Sequence, residues 1–466
     1  MLCLVFKPMS FHRSFLLACV AVCALASNGI SPAYAETLEK AVESSLNRHP
    51  SVVAALAGRN LAREERQESF SAFFPEVNVT AATGRIYGDN STSRGLSVER
   101  GTGYSWNHEY AVSVNQPIFD GMETIRRVEA ADARMESARI NIDDVRESLG
   151  LRVVLAYIDV LRNREALAMI QGHGKKIADY KKRIKSMVDE GMADESMAVQ
   201  AEDIQNQLDA TIADVEGQLD KSLADYAEAV GHAAEENLVR PVLDDAAMPP
   251  DPDQAVQAAL RAHPALMALQ LQGQATASEI DAERGTIYPD IVGEISHYKK
   301  DLADVIGGEV VDNRALLRMN WNFSTGGAQL ARIRQSTHRH AEAEARAAEV
   351  SARIEREIRK AYAEIEAAQN RRDVGRDRVD VSARLVSAYE KQFEAGKVTL
   401  LNILQAENNH FNAKLSLMNA DFRVLAARYS VLANMGQLQK VLNIVPVAVE
   451  KTAQVRSEMA DIKANE

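Results

Sequence analysis

The sequence predicts a mostly α-helical protein with transmembrane β-strands, built from two copies of one structural unit. First, residues 41–50 return as residues 255–264, an offset of 214 residues. Second, two stretches of 70 residues, one between Gly121 and Gly191 and one between Gly326 and Gly396, contain no proline. Third, four shorter segments alternate polar and apolar side chains. A repeat on this scale indicates a duplicated structural device more than an enzyme.

Residues 1–35 are predicted to be a secretory signal peptide. Lys7 and Arg13 precede an apolar run over residues 15–26, and small residues end at Ala35, which is typical of a signal cleaved before Glu36. All three cysteines lie in this segment, so the mature chain is expected to have neither thiol nor disulfide. Removing the two cations changes the net charge from −12 to −14, which argues against nucleic acid as a partner.

The first copy is predicted to span residues 36–231. After its initial helices, strands are expected at about 76–88 and 107–119, because Tyr110, Val112 and Val114 share one face of an alternating segment. A long helix follows over about 121–189, where alternating steps of four and three from Leu149 to Val188 give a coiled-coil seam. Gly191 ends this helix and forms a hairpin tip, and a return helix is predicted over about 195–231.

The second copy is predicted to span residues 253–442. Residues 232–252, with four of the twelve prolines, link the copies. The predicted elements of this copy are strands at about 290–299 and 314–324, a long helix over about 326–394, the Gly396 tip and a return helix over about 398–436. From Gly121 onwards the offset is 205 residues, which places a nine-residue difference in the loops joining the strands, 89–105 against 299–314. Residues 443–466 lose the periodicity and are predicted to be a disordered tail.

The predicted strands have the length of strands that cross a bilayer, about 9–11 residues. Four strands cannot close a barrel, and an open sheet edge is not stable in lipid. Several chains must therefore share one barrel. Three chains would supply a trimeric 12-stranded β-barrel, continued by a long α-helical barrel whose helices are about 100 Å long.

The chain resembles the TolC family of outer-membrane channel proteins over residues 36 to about 442. The residues that carry the resemblance are Phe74-Pro75 and Tyr288-Pro289 before the odd strands, residues 117–121 and 322–326 after the even strands, and residues 395–407 at the second tip. The resemblance implies a homotrimer in the outer membrane of a Gram-negative bacterium that extends into the periplasm. It also implies passive export with a periplasmic adaptor and an inner-membrane transporter. Type I protein secretion is favoured, and small-molecule efflux is the alternative.

The resemblance places a pore constriction beside the two tips. Family members often carry two acidic residues that form a cation-binding ring, but the matching positions here are the amides Asn402 and Gln405. Amides cannot attract cations in the same way, and they could instead be solvated helix positions. The positions that match the gate bonds of the family are Phe393, Val398, Ser196 and Met197. Acids surround the first tip at Asp189, Glu190, Asp194 and Glu195, either as an entrance site or as an ordinary solvated turn.

No catalytic, cofactor or metal site is predicted. The sequence contains no GxSxG, HExxH, P-loop or CxxC motif. His49 and His263 precede prolines at helix ends, where a cation suits the helix dipole. A secreted coiled-coil scaffold would explain the long helices, but it has no use for four amphipathic strands. A periplasmic adaptor would need all-β domains that the duplicated layout lacks.

Overall fold

The computed structural model describes residues 36–88, 103–302 and 309–444. The predicted signal peptide with its three cysteines, the tail from residue 445 onwards and parts of both loops between the paired strands lie outside the described residues.

The fold consists of nine described α-helices and four strands. The helices are α1 (Leu38–Arg48), α2 (Pro50–Ser71), α3 (Glu123–Asp189), α4 (Glu195–Val230), α5 (Pro252–Ala262), α6 (Pro264–Gly285), α7 (Ala328–Glu394), α8 (Leu400–Asn434) and α9 (Leu438–Val441). The strands are β1 (Glu76–Gly88), β2 (Gly103–Phe119), β3 (Asp290–Leu302) and β4 (Val310–Asn320).

The two long helices, α3 and α7, each contain 67 residues and end in the same kind of turn. Gly191 and Gly396 follow them with φ angles of 72° and 71°. This left-handed conformation is unfavourable for residues with a Cβ atom, so glycine allows the chain to reverse directly into the return helix. Thr399 and Asn402 form a capping box that starts α8 after the second turn.

The four strands form one antiparallel sheet in the order β1-β2-β3-β4. The register pairs Val79 with Val112 and Val112 with His297, and it shifts once, between Pro117 and Phe119 of β2. The bounds of β4 differ from the sequence prediction of 314–324, because the strand runs from Val310 to Asn320.

Residues 321–324 leave the sheet because their polar groups bond elsewhere. The Trp321 indole N–H donates to the carbonyl oxygen of Ile287 at 3.0 Å, beside the end of α6. The side-chain amide of Gln329 donates to the carbonyl oxygen of Asn322, also at 3.0 Å. These contacts hold residues 321–324 against the helices. The residues therefore cannot continue the hydrogen-bond ladder between β4 and β3.

The helices lie side by side as a wall. Near the tips the order is α4, α3, α8, α7, and near the sheet it is α2, α3, α6, α7. Each long helix therefore packs on a return helix at one end and on a shorter helix at the other. Among the described residues, none of the helices combines the length and apolar character that crossing a lipid bilayer requires.

The helices meet the sheet at a very close backbone contact. A Cβ atom on Gly121, whose φ is +67°, would lie 2.3 Å from the carbonyl oxygen of Gly285. Only glycine at position 121 lets the start of α3 pass the end of α6 at this distance.

Two tyrosines that correspond in the two copies attach other segments to the wall. The hydroxyl of Tyr157, a fully buried residue on α3, lies 2.8 Å from the carbonyl oxygen of Glu36 and 2.7 Å from that of Val239. The hydroxyl of Tyr362 on α7 donates to the carbonyl oxygen of Pro249 at 2.5 Å. Both tyrosines therefore hold the linker between the copies against the helical wall, one at Val239 and the other at Pro249.

Candidate functional site

The sheet has one apolar face and one polar face. The register places alternate residues of all four strands on the same side, and on one side these are mostly large apolar residues. They include Val77, Val79, Val112, Ile295, Leu317 and Met319, each more than 40 % exposed in the single chain. No helix or strand of the described chain covers this face, which suits contact with lipid.

The opposite face carries ion pairs between neighbouring strands. Glu109 of β2 pairs with Lys300 of β3 at 2.9 Å, and Glu294 of β3 pairs with Arg318 of β4 at 2.5 Å. Opposite charges on neighbouring strands neutralise each other. This face can therefore line a water-filled space without a large net charge.

Both edges of the sheet are open. Within the described residues, β1 pairs only with β2 and β4 pairs only with β3. Unpaired backbone N–H and C=O groups on an edge strand accept a further strand readily and are costly in lipid. The sheet of one chain is therefore incomplete as a membrane structure.

Exposed aromatic residues collect where the sheet joins the helices. A ring of such residues is typical of the interface between lipid and water, because an aromatic side chain combines an apolar body with a polar or polarisable edge. The residues are Phe73, Phe74, Phe119, Tyr288, Trp321 and Phe323.

At the other end of the wall, the predicted constriction residues divide into two groups. Phe393 and Met197 are half-buried against an apolar cluster formed by α3, α4 and α8, and Val398 is also half-buried. Ser196 and Gln405 are exposed. The first group therefore packs beside the tips, and only the second is free to face an opening.

Asn402 has a local role that the sequence pattern did not indicate. Its side-chain oxygen accepts hydrogen bonds from the backbone N–H of Thr399 at 3.0 Å and from the Thr399 hydroxyl at 2.8 Å. These bonds satisfy hydrogen-bond donors at the N-terminus of α8 and hold the Asn402 oxygen against its own helix. The oxygen of Asn402 is therefore engaged by Thr399 in this conformation.

The acids at the first tip are all exposed. Asp189, Glu190, Asp194 and Glu195 make no ion pair within the described part of the chain. The same ranges hold no group of three or more His, Cys, Asp or Glu residues placed to bind a metal ion.

The contact between α3 and α8 contains a polar cluster that the sequence pattern did not indicate, and we call it the hairpin seam. His173 is 5 % exposed, its ring stacks on Phe411 with centroids 4.2 Å apart, and its Nε2 lies 3.3 Å from Asn408 Oδ1. Glu407, 7 % exposed, pairs with Lys176 at 3.4 Å. The heptad positions of α3 lie on the side that faces α4. His173 faces α8, so the heptad pattern did not include it.

Burial sets the charge state of this histidine. Loss of hydration lowers the pKa of His173, while the Asn408 bond and the Glu407 carboxylate raise it, and Lys176 and His410 lower it further. Burial dominates, so the neutral ring is the form that fits the hairpin seam.

Both copies of the repeat match a known family. The model of the outer membrane efflux protein family matches residues 41–232 and 255–437, that is, both copies. The chain belongs to the outer membrane efflux protein family. It is accordingly an outer-membrane efflux channel that extends into the periplasm, and a passive channel rather than an enzyme.

Three known proteins are similar to this chain. The chain is 24% identical over 409 residues to the outer membrane efflux protein BepC of Brucella suis biovar 1 (strain 1330), covering 87% of this chain and 86% of BepC. The structure of the Campylobacter jejuni CmeC outer membrane channel is similar with a TM-score of 0.76 at 13% identity, covering 86% of each chain. That of the open Neisseria gonorrhoeae MtrE outer membrane channel gives a TM-score of 0.72 at 16% identity, covering 86% of this chain and 89% of MtrE. The mostly helical, four-stranded fold expected from the sequence is confirmed.

Proposed function

We propose that three copies of this chain form one channel, the exit duct of a tripartite export system. The observation that carries the proposal is the sheet with an apolar outer face and two unpaired edges. Pairing β1 of one chain with β4 of the next would close twelve strands into a barrel without leaving an edge in lipid. The helical walls of three chains would continue that barrel as a tunnel through the periplasm.

The flanks of the helical wall support this assembly by their charge. Helices α4 and α7 lie at opposite ends of the wall, so they would meet between neighbouring chains. Residues 203–220 of α4 contain five exposed acids and no cation: Asp203, Asp209, Asp214, Glu216 and Asp220. Residues 371–384 of α7 contain five arginines against three exposed aspartates, and the exposed arginines are Arg371, Arg376, Arg378 and Arg384. Because α4 rises from one tip and α7 descends to the other, both sets lie about 10–40 Å above the tips. Exposed apolar residues of α7, Val374, Val381 and Leu385, lie in the same stretch.

The tips are proposed as the gated entrance and as the contact with a periplasmic adaptor and an inner-membrane transporter. Gln405 and Ser196 are the exposed candidates for the lining of the constriction, while Phe393, Val398 and Met197 pack beside it. Asn402 would contribute its amide nitrogen only, since its oxygen caps α8. A neutral lining of this kind implies weak block by divalent cations.

Two cargo classes are consistent with such a duct. Polypeptides exported by type I secretion are the first candidate, from the resemblance carried by the sequence motifs. Small molecules are the second, favoured by the relative BepC, which is named an efflux protein.

Two measurements test the proposal. The purified protein should require detergent, have the mass of three chains and conduct ions in planar bilayers. A water-soluble single chain with no conductance would refute the trimeric channel. Deletion of the gene should then remove either secreted polypeptides or tolerance to dyes and detergents, which separates the two cargo classes.

A further inference from the structure

The lower part of α3 carries a concentration of positive charge that the duct itself does not use. Residues 175–185 contain six lysines or arginines and one acid. Two of the cations have partners, because Lys176 pairs with Glu407 and Lys181 pairs with Glu202, each at 3.4 Å.

The other four cations form an exposed group that we call the cationic patch: Lys175, Lys182, Arg183 and Lys185. None of the four makes an ion pair within the described ranges of the chain. At 1.5 Å per residue the patch is about 15 Å long and begins about 9 Å above Gly191. The one acid of this stretch, Asp179, is exposed one helical turn from Lys175, Lys182 and Arg183. The patch with Asp179 keeps a net charge of +3, which an acidic partner would neutralise.

The second copy of the repeat lacks this patch. The corresponding residues on α7, 205 positions later, are Asp380, Ser387, Ala388 and Glu390, all exposed. Residues 380–390 contain two acids and one arginine, and Asp380 already pairs with Arg384 at 3.0 Å. Helices α3 and α7 therefore carry opposite net charge at the same height above their tips, +5 over residues 175–185 against −1 over residues 380–390.

The place of the patch favours a protein over a membrane as its occupant. An anionic bilayer would approach the end of the tip, which carries the exposed acids Asp189, Glu190, Asp194 and Glu195. Those acids repel anionic lipid. A protein that surrounds the tips from the side would contact the cationic patch instead.

Resting on the proposed function, we propose that the cationic patch is the docking surface for an acidic helical segment of the periplasmic adaptor, and that the second hairpin does not take this segment. Each chain then offers one such site instead of two equivalent ones. The charge difference would fix the rotational position of the adaptor ring on the channel.

Exchange of the residues between the two hairpins tests the proposal. The first-hairpin variant combines Lys175→Asp, Lys182→Ser, Arg183→Ala and Lys185→Glu. The converse variant combines Asp380→Lys, Ser387→Lys, Ala388→Arg and Glu390→Lys. The detergent-purified channel is mixed with the soluble part of each adaptor protein of its own host, and with phosphatidylglycerol vesicles, at low and high salt. Conductance in bilayers checks that each variant still assembles.

We expect the first-hairpin variant to bind the adaptor at least about tenfold more weakly at low salt, since four exposed ion pairs are lost. The converse variant should bind two adaptor segments per chain in place of one. Equal affinity of wild type and first-hairpin variant for an adaptor would overturn the inference and leave the proposed function intact. Absence of binding by every adaptor to the wild type would overturn both. Patch-dependent binding to the vesicles, with adaptor binding unchanged, would assign the patch to lipid instead.

Discussion

Replacing Tyr157 by phenylalanine tests how the N-terminal segment and the linker are held to the helical wall. The ring is fully buried and stays packed against Tyr226, with centroids 6.3 Å apart, so the change removes only the hydroxyl. The carbonyl oxygen of Glu36 keeps the backbone N–H of Val239 as a donor at 3.1 Å. The carbonyl oxygen of Val239 loses the hydroxyl at 2.7 Å.

One partly buried carbonyl left without this donor costs about 1–2 kcal/mol. For a chain with about 400 folded residues, that corresponds to a fall in the thermal midpoint of about 1–3 °C. Burial raises the pKa of Tyr157, so the hydroxyl is protonated throughout the physiological range and the effect should not depend on pH there. Differential scanning calorimetry of the purified channel measures the shift.

The duplication supplies the matched control, Tyr362→Phe. The hydroxyl of Tyr362 has a single carbonyl partner, and the residue is only half-buried, so water can replace the lost bond. Its thermal midpoint should change by less than about 1 °C. Equal shifts in the two variants, or no shift in Tyr157→Phe, would refute the argument that the buried hydroxyl secures the linker.

Acidification from about pH 7 to about pH 5 should loosen the hairpin seam, because burial lowers the pKa of His173. The neutral ring stabilises the seam above the ordinary histidine pKa, and this stabilisation is lost as the pH falls through the lowered value. Channel opening in bilayers should rise with acid and respond less to pH in His173→Gln, in which His410, whose pKa burial also lowers, still titrates. A wild type insensitive to pH contradicts this. Gly121→Ala should prevent assembly of the channel, since the new Cβ atom would lie 2.3 Å from the carbonyl oxygen of Gly285. The control Gly191→Ala has no atom close to its Cβ and should lower the stability by only about 1–2 kcal/mol, the cost of a left-handed backbone. Intact trimers of Gly121→Ala would count against the close contact. Asn402→Asp keeps an oxygen for the helix cap and should increase block by divalent cations; unchanged block would remove position 402 from the pore.

Local chemistry is what made much of the fold predictable from the sequence. Gly191 and Gly396 have the left-handed backbone that their position after a long periodic helix indicates. Alternation around Val112 likewise identifies a strand and the face it presents, because successive side chains of a strand point to opposite sides. Each of these signals lies within a few residues of the feature it specifies.

Features that depend on distant partners could not be predicted in this way. The end of β4 is set by the bond from Trp321 to the carbonyl oxygen of Ile287, 34 residues earlier in the chain. The hairpin seam joins His173 to Asn408 across 235 residues. Asn402 illustrates a different limit, since an amide three residues into a helix suits both a capping box and a pore lining. Residue type alone does not separate the two roles.

Differences between the copies mark places where the two hairpins have different neighbours. Glu147 on α3 accepts hydrogen bonds from the backbone N–H groups of Leu438 and Gln439 at 3.1 and 3.3 Å, and so anchors the turn that follows α8. Its counterpart 205 positions later is Ala352, whose side chain cannot accept a hydrogen bond. Burial raises the pKa of Glu147, a cost that only a specific contact would justify. By the same logic, the four exposed cations of the first hairpin, absent from the second, indicate a neighbour that only one hairpin meets. In the proposed trimer, the two unlike hairpins of each chain reduce a sixfold entrance to threefold symmetry. A partner that senses charge would then bind in three equivalent rotational positions instead of six.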